Sequence, residues 1–358
     1  PNSSVSRALS LPVEEVAPML ETTWSQREPY NLKCPEVNGK RCVTGCVATQ
    51  FAQVMKYYEY PSRGRGSRTY TTYRNQITLS TSFDHPYYWD RMLNAYPKPD
   101  SGTAEEREAI SQLMFDVGVA LNMDYDPNGS GSSGIWAVGT FPYYFDYSGE
   151  MILLFKPGRD DAEWFSLAKA QVDRGFPVSY MISPVEGAGH AVVIDGYRIS
   201  GGQSMFHINM GWGGPWDGYY AMNNIVVRDG LYDFSFVEGQ SFVLRMVPPD
   251  RVSELPPLPV GAAAHENRSL FLSEIVCELT WQGIPGWGSN IDKYVIVRYN
   301  GFTGEVTDFA EMQHTGQESL YCHRFRLNEF SPDTYFVHAV RNDGERLPLM
   351  FCHLLQKD

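Results

Sequence analysis

Prolines divide this chain before any other feature does. Val247-Pro248-Pro249-Asp250 is followed almost at once by Leu255-Pro256-Pro257-Leu258-Pro259. Proline has no N–H for a sheet ladder and does not fit a helix interior, so no regular element crosses this stretch. Proline-rich segments are extended and semi-rigid, which makes 248–261 a stiff linker. The length of 358 residues agrees, being more than one core usually accommodates. The chain is therefore read as a domain over 1–247, a linker over 248–261 and a second domain over 262–358.

Before the linker, helical spacing comes first and strand patterns follow. Val47, Phe51, Val54 and Tyr58 recur at helical intervals and predict a helix opening at Cys46, behind Thr44-Gly45 and stopped by Pro61. Thr103 caps a second helix running through Ala120, with Ile110, Leu113, Met114 and Val117 on one face. Asp161 caps a third, with Trp164, Leu167, Ala168 and Val172 inward and Gly175 at its end. Strands are expected at 177–182, from His190 through Ile194, and at 205–210 after the turn Gly201-Gly202. That order gives an α+β fold. After the linker, 269–281, 293–299, 321–327 and 334–340 are β-rich and separated by turn residues. They predict a β-sandwich, with the immunoglobulin-like form as one version. Holding substrate, anchoring to a surface and serving as an export region all fit such a domain.

Two segments carry chemistry. Thr44-Gly45-Cys46-Val47-Ala48-Thr49 sets a thiol at a helix N-terminus, and Gly187-Ala188-Gly189-His190 sets an imidazole at a strand start. A thiol attacks as thiolate, and a helix N-terminus and an imidazolium both favour that anion. The pair points to covalent catalysis. The small residues before His190, Gly189 among them, leave room for a substrate backbone. Each residue alone has a plainer reading: Cys46 as a small buried apolar residue, His190 as a satisfied structural histidine. Asn209, at the end of Phe206-His207-Ile208-Asn209, either accepts from the imidazole as in Cys-His-Asn proteases or serves the turn that follows.

These segments together resemble the streptopain family of bacterial cysteine peptidases. The resemblance rests on Trp24-Ser25-Gln26 with Pro29-Tyr30-Asn31, on Thr44-Gly45-Cys46-Val47-Ala48-Thr49, and on Ala52-Gln53-Val54-Met55-Lys56-Tyr57. It continues through Gly189-His190-Ala191-Val192-Val193-Ile194-Asp195-Gly196 and His207-Ile208-Asn209 to Gly211-Trp212-Gly213-Gly214. It implies a two-lobed papain-like catalytic domain with its cleft between the lobes, followed here by a C-terminal extension. It further implies Cys46 as nucleophile, His190 as base and acid, Gln26 as the side-chain donor to the oxyanion, and Asn209 as the residue that orients the histidine. Trp212 is implied as part of the active-site wall, and a hydrophobic residue is preferred two positions before the cut. The loop Gly129-Ser130-Gly131-Ser132-Ser133-Gly134 is implied to edge the substrate cleft, offering peptide contacts at Ser132 and Ser133; otherwise it is a plain connector. One position departs. The family has tryptophan directly after the motif asparagine, and this chain has Met210. Met210 is expected to shield the His–Asn bond less completely, altering activity or specificity rather than abolishing it. Lys40, where the family has glutamine, receives no role.

Composition narrows the partners. A net charge of −13 argues against a nucleic-acid surface and against anionic membranes. No stretch approaches the roughly 20 apolar residues of a membrane span. No CxxC or HExxH is present, so no zinc site is expected. Asp124-Tyr125-Asp126-Pro127-Asn128-Gly129 opens like a calcium loop, but its twelfth position is Ile135. No cofactor is expected. Of six cysteines, Cys34 and Cys42 either bridge a short loop or stay free. The partners expected are protein substrates and, from the family, an N-terminal prodomain in the zymogen. Only about fifteen residues precede the first matching segment, too few for such a domain, so the chain reads as a mature form. The reading is a secreted or cell-surface cysteine endopeptidase. A Cys-His-Asn amidase or acyltransferase, and a binding protein with a weakened site, are the alternatives.

Overall fold

A computed structural model of the chain describes residues 13–149, 151–156, 161–184, 188–228, 233–256, 275–282, 291–299, 306–315, 320–327, 334–344 and 353–357. The strands before the linker are β1 (Glu14–Val16), β2 (Glu36–Val37), β3 (Lys40–Arg41), β4 (Ser67–Thr71), β5 (Thr78–Ser82) and β6 (Ile152–Phe155). They continue with β7 (Val178–Pro184), β8 (His190–Ser200), β9 (Gln203–Asn209), β10 (Gly218–Ala221), β11 (Val226–Arg228) and β12 (Asp233–Leu244). Helices are α1 (Cys46–Tyr58), α2 (Ala104–Ala120), α3 (Ile135–Tyr144) and α4 (Asp161–Val172).

The sheet runs β10-β9-β8-β7-β12-β11, with β1 on β8 and β6 on β12, all antiparallel. Both faces are covered. Ala191 and Val193 join the core formed with α1, α2 and α3, whereas Val192 and Ile194 join the core formed with α4. Successive side chains of a strand point to opposite faces, so a strand buried on both sides reads as a continuous apolar run. That is why residues 191–194 carry no polar residue.

Helix α1 differs from the one-faced helix expected. Val47 through Met55 are all buried, because α1 packs against the sheet on one side and α2 on the other. Its two interior glutamines are fastened rather than solvated: Gln50 Nε2 donates to the carbonyls of Tyr180 and Val192, which ties α1 to β7 and β8. The helix ends in Glu59 at φ 47°. Helix α2 begins as expected, with a complete capping box between Thr103 and Glu106. Helix α3 was not expected. It is apolar or aromatic apart from Thr140, follows a glycine-serine loop and contains Pro142, so it carries no periodic signal.

The described part of the expected linker, 248–256, holds regular structure and side-chain contacts. Residues Pro249–Glu254 form a 3-10 helix laid against Tyr58 and Phe176. Arg245 donates to the Pro256 carbonyl, Arg174 to that of Glu254, and the Arg251 guanidinium covers the rings of Phe176 and Tyr58. Residues 257–261 lie outside the described residues.

Beyond it are β13 (Ile275–Gln282), β14 (Ile291–Tyr299), β15 (Val306–Gln313), β16 (Leu320–Leu327), β17 (Thr334–Arg341) and β18 (His353–Lys357). They form two antiparallel three-stranded sheets, ordered β16-β13-β18 and β15-β14-β17. Four of the six match the sequence expectation. Strands β15 and β18 were not foreseen, and the first part of the expected 269–281 strand lies outside the described residues.

Candidate active site

Helix α1 opens on Cys46 because Gly45 lets it. Gly45 has φ +87°, a conformation L side chains rarely adopt. A Cβ there would lie 2.6 Å from Met123 Sδ and 3.0 Å from the Ser130 carbonyl. Behind it, Thr49 Oγ1 donates to the Gly45 carbonyl and pairs with Thr44 Oγ1 at 2.9 Å. Cys46 is half-buried. Burial pushes its thiol pKa up, and backbone N–H groups of Ala191, Val47 and Cys46 act on the sulfur in the opposite direction. The last two are free first-turn donors of α1, the feature that favours an anion at a helix start. The first belongs to the residue directly after His190. The thiol and the start of β8 therefore meet.

His190 is buried at the head of β8. Its Nε2 lies 2.9 Å from the main-chain carbonyl oxygen of Met210. A carbonyl only accepts, so Nε2 carries the hydrogen and the neutral ring keeps its lone pair on Nδ1. The ring stacks on Trp212 at 4.2 Å between centroids, with Phe236 at 5.9 Å. Burial lowers its pKa to about 4, against the favourable contact with Met210. Burial thus disfavours the charged form of both groups, while the N–H donors at the sulfur favour its anion.

Asn209 does not touch the imidazole, which corrects the expectation. Its Nδ2 donates to the Thr22 carbonyl at 2.7 Å, and its Oδ1 accepts from Gln53 Nε2 at 2.9 Å and Gly211 N–H at 3.0 Å. Register explains this. Asn209 pairs with Val193, three residues along β8 from His190, so the chain level with the ring is the turn after β9. Met210 likewise differs from expectation. Its side chain is fully buried in the core shared with α4, so it lines no cleft; its main chain is what meets His190.

Gln26 is half-exposed, and its carbonyl accepts the Thr44 N–H at 3.1 Å, two residues ahead of the nucleophile. The Trp24 carbonyl accepts from Gly213, stitching this loop to the turn that carries Trp212. Gly189 is exposed beside His190. The Ser132 hydroxyl is engaged by the Leu121 carbonyl, while Ser133 is exposed at the lip ahead of α3. Asp124 and Asp126 of the calcium-like loop both face Arg74, at 3.6 and 3.5 Å. Among the described residues, no group of three or more His, Cys, Asp or Glu side chains is placed to hold a metal. Cys34 and Cys42 are buried free thiols.

Sequence reasoning missed Gln50, Gln53, Phe236 and Asp217. Two of them left a signal: Gln50 and Gln53 are polar residues about one and two helical turns after Cys46, inside an otherwise apolar helix.

The chain is also similar to known proteins. Residues 24–220 match the Peptidase C10 family. Streptopain of Streptococcus pyogenes is 33% identical over 222 residues, covering 56% of this chain and 53% of the relative. The thiol protease/hemagglutinin PrtT of Porphyromonas gingivalis is 30% identical, covering 58% of this chain and 24% of that protein. The active wild-type interpain A cysteine protease of Prevotella intermedia superposes with a TM-score of 0.59 at 34% identity, covering 65% of this chain and 95% of that structure. The chain spans about half the length of the streptopain it matches.

Proposed function

This chain belongs to the peptidase C10 family, and from that premise we propose that it is a cysteine endopeptidase whose nucleophile is Cys46 and whose acid–base residue is His190. One observation carries the reading: the Cys46 sulfur is met by the Ala191 N–H, adjacent to an imidazole whose Nε2 is tied back and whose Nδ1 keeps its lone pair.

The reaction follows from those roles. Nδ1 of His190 takes the Cys46 proton as the sulfur attacks the scissile carbonyl. Gln26 and the Cys46 N–H donate to the oxyanion of the tetrahedral intermediate. The imidazolium returns its proton to the leaving amine, and a thioester remains on Cys46. Water, deprotonated by the same imidazole, then releases the acid product and the thiol. The first-turn N–H groups of α1 can stabilise both the anionic sulfur and the oxyanion. The Trp212 indole excludes water from one face of the ring. Gly189, Ser132 and Ser133 are proposed to meet the peptide main chain, and the side chain two residues before the cut is proposed to be hydrophobic.

The wider organisation belongs to the same proposal: a two-lobed papain-like domain over 1–247, a linker over 248–261 and a β-sandwich domain over 262–358. Protein substrates, a secreted or cell-surface location and a zymogen with an N-terminal prodomain complete it. A prointerpain A fragment superposes at a TM-score of 0.56, which supports the last point. No described helix is long and apolar enough to cross a membrane.

Thiol chemistry tests the assignment. Iodoacetamide at neutral pH is expected to alkylate Cys46 well ahead of buried Cys34 and Cys42 and to abolish hydrolysis of a fluorogenic peptide. Gln26→Ala should lower kcat about 10²-fold with Cys46 still alkylated. Alkylation confined to other cysteines, with peptide hydrolysis lost, would reject Cys46 as the nucleophile.

A further inference from the structure

The acid–base residue is held by a main-chain carbonyl, and a carbonyl has no side chain of its own to set its direction. What fixes it is the conformation of Met210 and Gly211, the latter at φ +67°. Both residues are clamped. Met210 N–H donates to Asp217 Oδ1 at 2.7 Å. Gly211 N–H donates to Asn209 Oδ1 at 3.0 Å, and the same oxygen accepts from Gln53 Nε2 at 2.9 Å. Gln53 is fully buried and its own Oε1 is engaged by Thr22 Oγ1 and the Trp24 N–H. We propose that Asp217 and Gln53 are positioning residues for His190, acting through the main chain of Met210 and Gly211.

Geometry gives the reason. The peptide unit that joins Met210 to Gly211 accepts from His190 Nε2 through its oxygen and donates to Asn209 through its nitrogen. Hydrogen bonds in series polarise one another, so a stronger acceptor at the N–H end makes the carbonyl a better partner for an imidazolium. Asn209 thus reaches the ring through one peptide unit. Gln53 sits on α1 about two turns after Cys46, so one rigid helix carries both the nucleophile and an anchor of the base. Asp217 closes the clamp from the other side of Met210. The turn leading into it is fixed too, by its N–H on the Gly214 carbonyl at 3.0 Å. The groups that face its carboxylate are the His207 ring, the Asp195 carboxylate and the Tyr220 hydroxyl. Burial raises the Asp217 pKa to about 6, and the Met210 N–H favours its ionised form. At neutral pH the carboxylate is the form that accepts.

The inference rests on His190 being the acid–base residue, so its test needs a readout beyond hydrolysis. The full chain is used with three variants, D217A, D217N and Q53E, after melting temperatures establish that each is folded. D217A and Q53E are expected to lower kcat at least about tenfold with KM within about twofold, and D217N, which keeps an acceptor oxygen, to recover most of the loss. In a Cys46→Ala background, the His190 Nε2–H is expected as a slowly exchanging proton resonance that D217A and Q53E bring into fast exchange. A folded D217A or Q53E with unchanged kcat and an unchanged Nε2–H resonance would overturn the proposal. If D217A does not fold, Q53E decides, since it changes one terminal group. If the unaltered chain hydrolyses no peptide, the catalytic reading fails, and the resonance still decides whether the clamp holds the ring.

Discussion

The imidazole of His190 lies against the indole of Trp212, with ring centroids 4.2 Å apart and planes 21° from parallel. That contact does two things. It fixes the ring plane around the Nε2–carbonyl bond, and it keeps water from one face. Replacing Trp212 with alanine should therefore raise the His190 pKa from about 4 toward its ordinary range, because desolvation is the main cause of its depression. An NMR titration in a Cys46→Ala background should show a rise of about one unit or more, and kcat/KM in the active chain should fall about tenfold. An unmoved titration would mean that Trp212 is not what dries the ring.

Two histidines should pull stability in opposite directions with pH. His85 Nε2 meets Asp116 Oδ2 at 2.8 Å, and buried Asp116 raises its pKa. A raised value contributes stability in full below about pH 6.5, lost as pH rises through the folded pKa. His190 has a lowered value, so its contribution is present above about 6.5 and is lost as pH falls toward about 4. Denaturant unfolding of variants in the Cys46→Ala background reads both. His85→Gln should cost more at pH 5 than at pH 8, and His190→Gln more at pH 8 than at pH 5. The reverse order at either site would contradict its assignment.

Gly45 is expected to tolerate no side chain. Alanine there meets both a positive φ and Met123 Sδ at 2.6 Å. The strain is worth about 1–3 kcal/mol. Thermal unfolding should register that loss, and alkylation of Cys46 should slow as the first turn of α1 shifts. A Gly45→Ala chain with the melting temperature and alkylation rate of the original would refute the account of how the helix start is built.

Thr103 supplies the contrast. Thr103→Ala removes the α2 capping box and should cost about 1 kcal/mol. Because α2 supplies none of the residues proposed to act on substrate, kcat should be unchanged; a matching fall in kcat would tie catalysis to the stability of α2.

The local structure around the candidate site is legible in short sequence patterns. The α1 start at Cys46, the Thr103 cap and the run from His190 to Ile194 each follow from residues close in sequence. The expected Asn209–imidazole bond is not made, because register across β8 and β9 decides which residue stands level with His190. Gln53 left only a polar position in a buried helix and Asp217 left none: one acts across 156 residues of chain, the other through a main-chain N–H. The Met210 substitution looked like a lost shield. The structure puts its side chain in the core and its carbonyl on the histidine, a role any residue's main chain can supply. Helix α3 stayed hidden because a helix with Thr140 alone among apolar and aromatic residues has no polar face to give it a period.

The central claim is that Cys46 is the nucleophile of a peptidase, and casein hydrolysis under reducing conditions tests it most directly, with Cys46→Ala as the partner sample. The account predicts cleavage by the unaltered chain and none by the folded variant. Cleavage that survives in Cys46→Ala, or a folded unaltered chain that leaves casein intact, would contradict it.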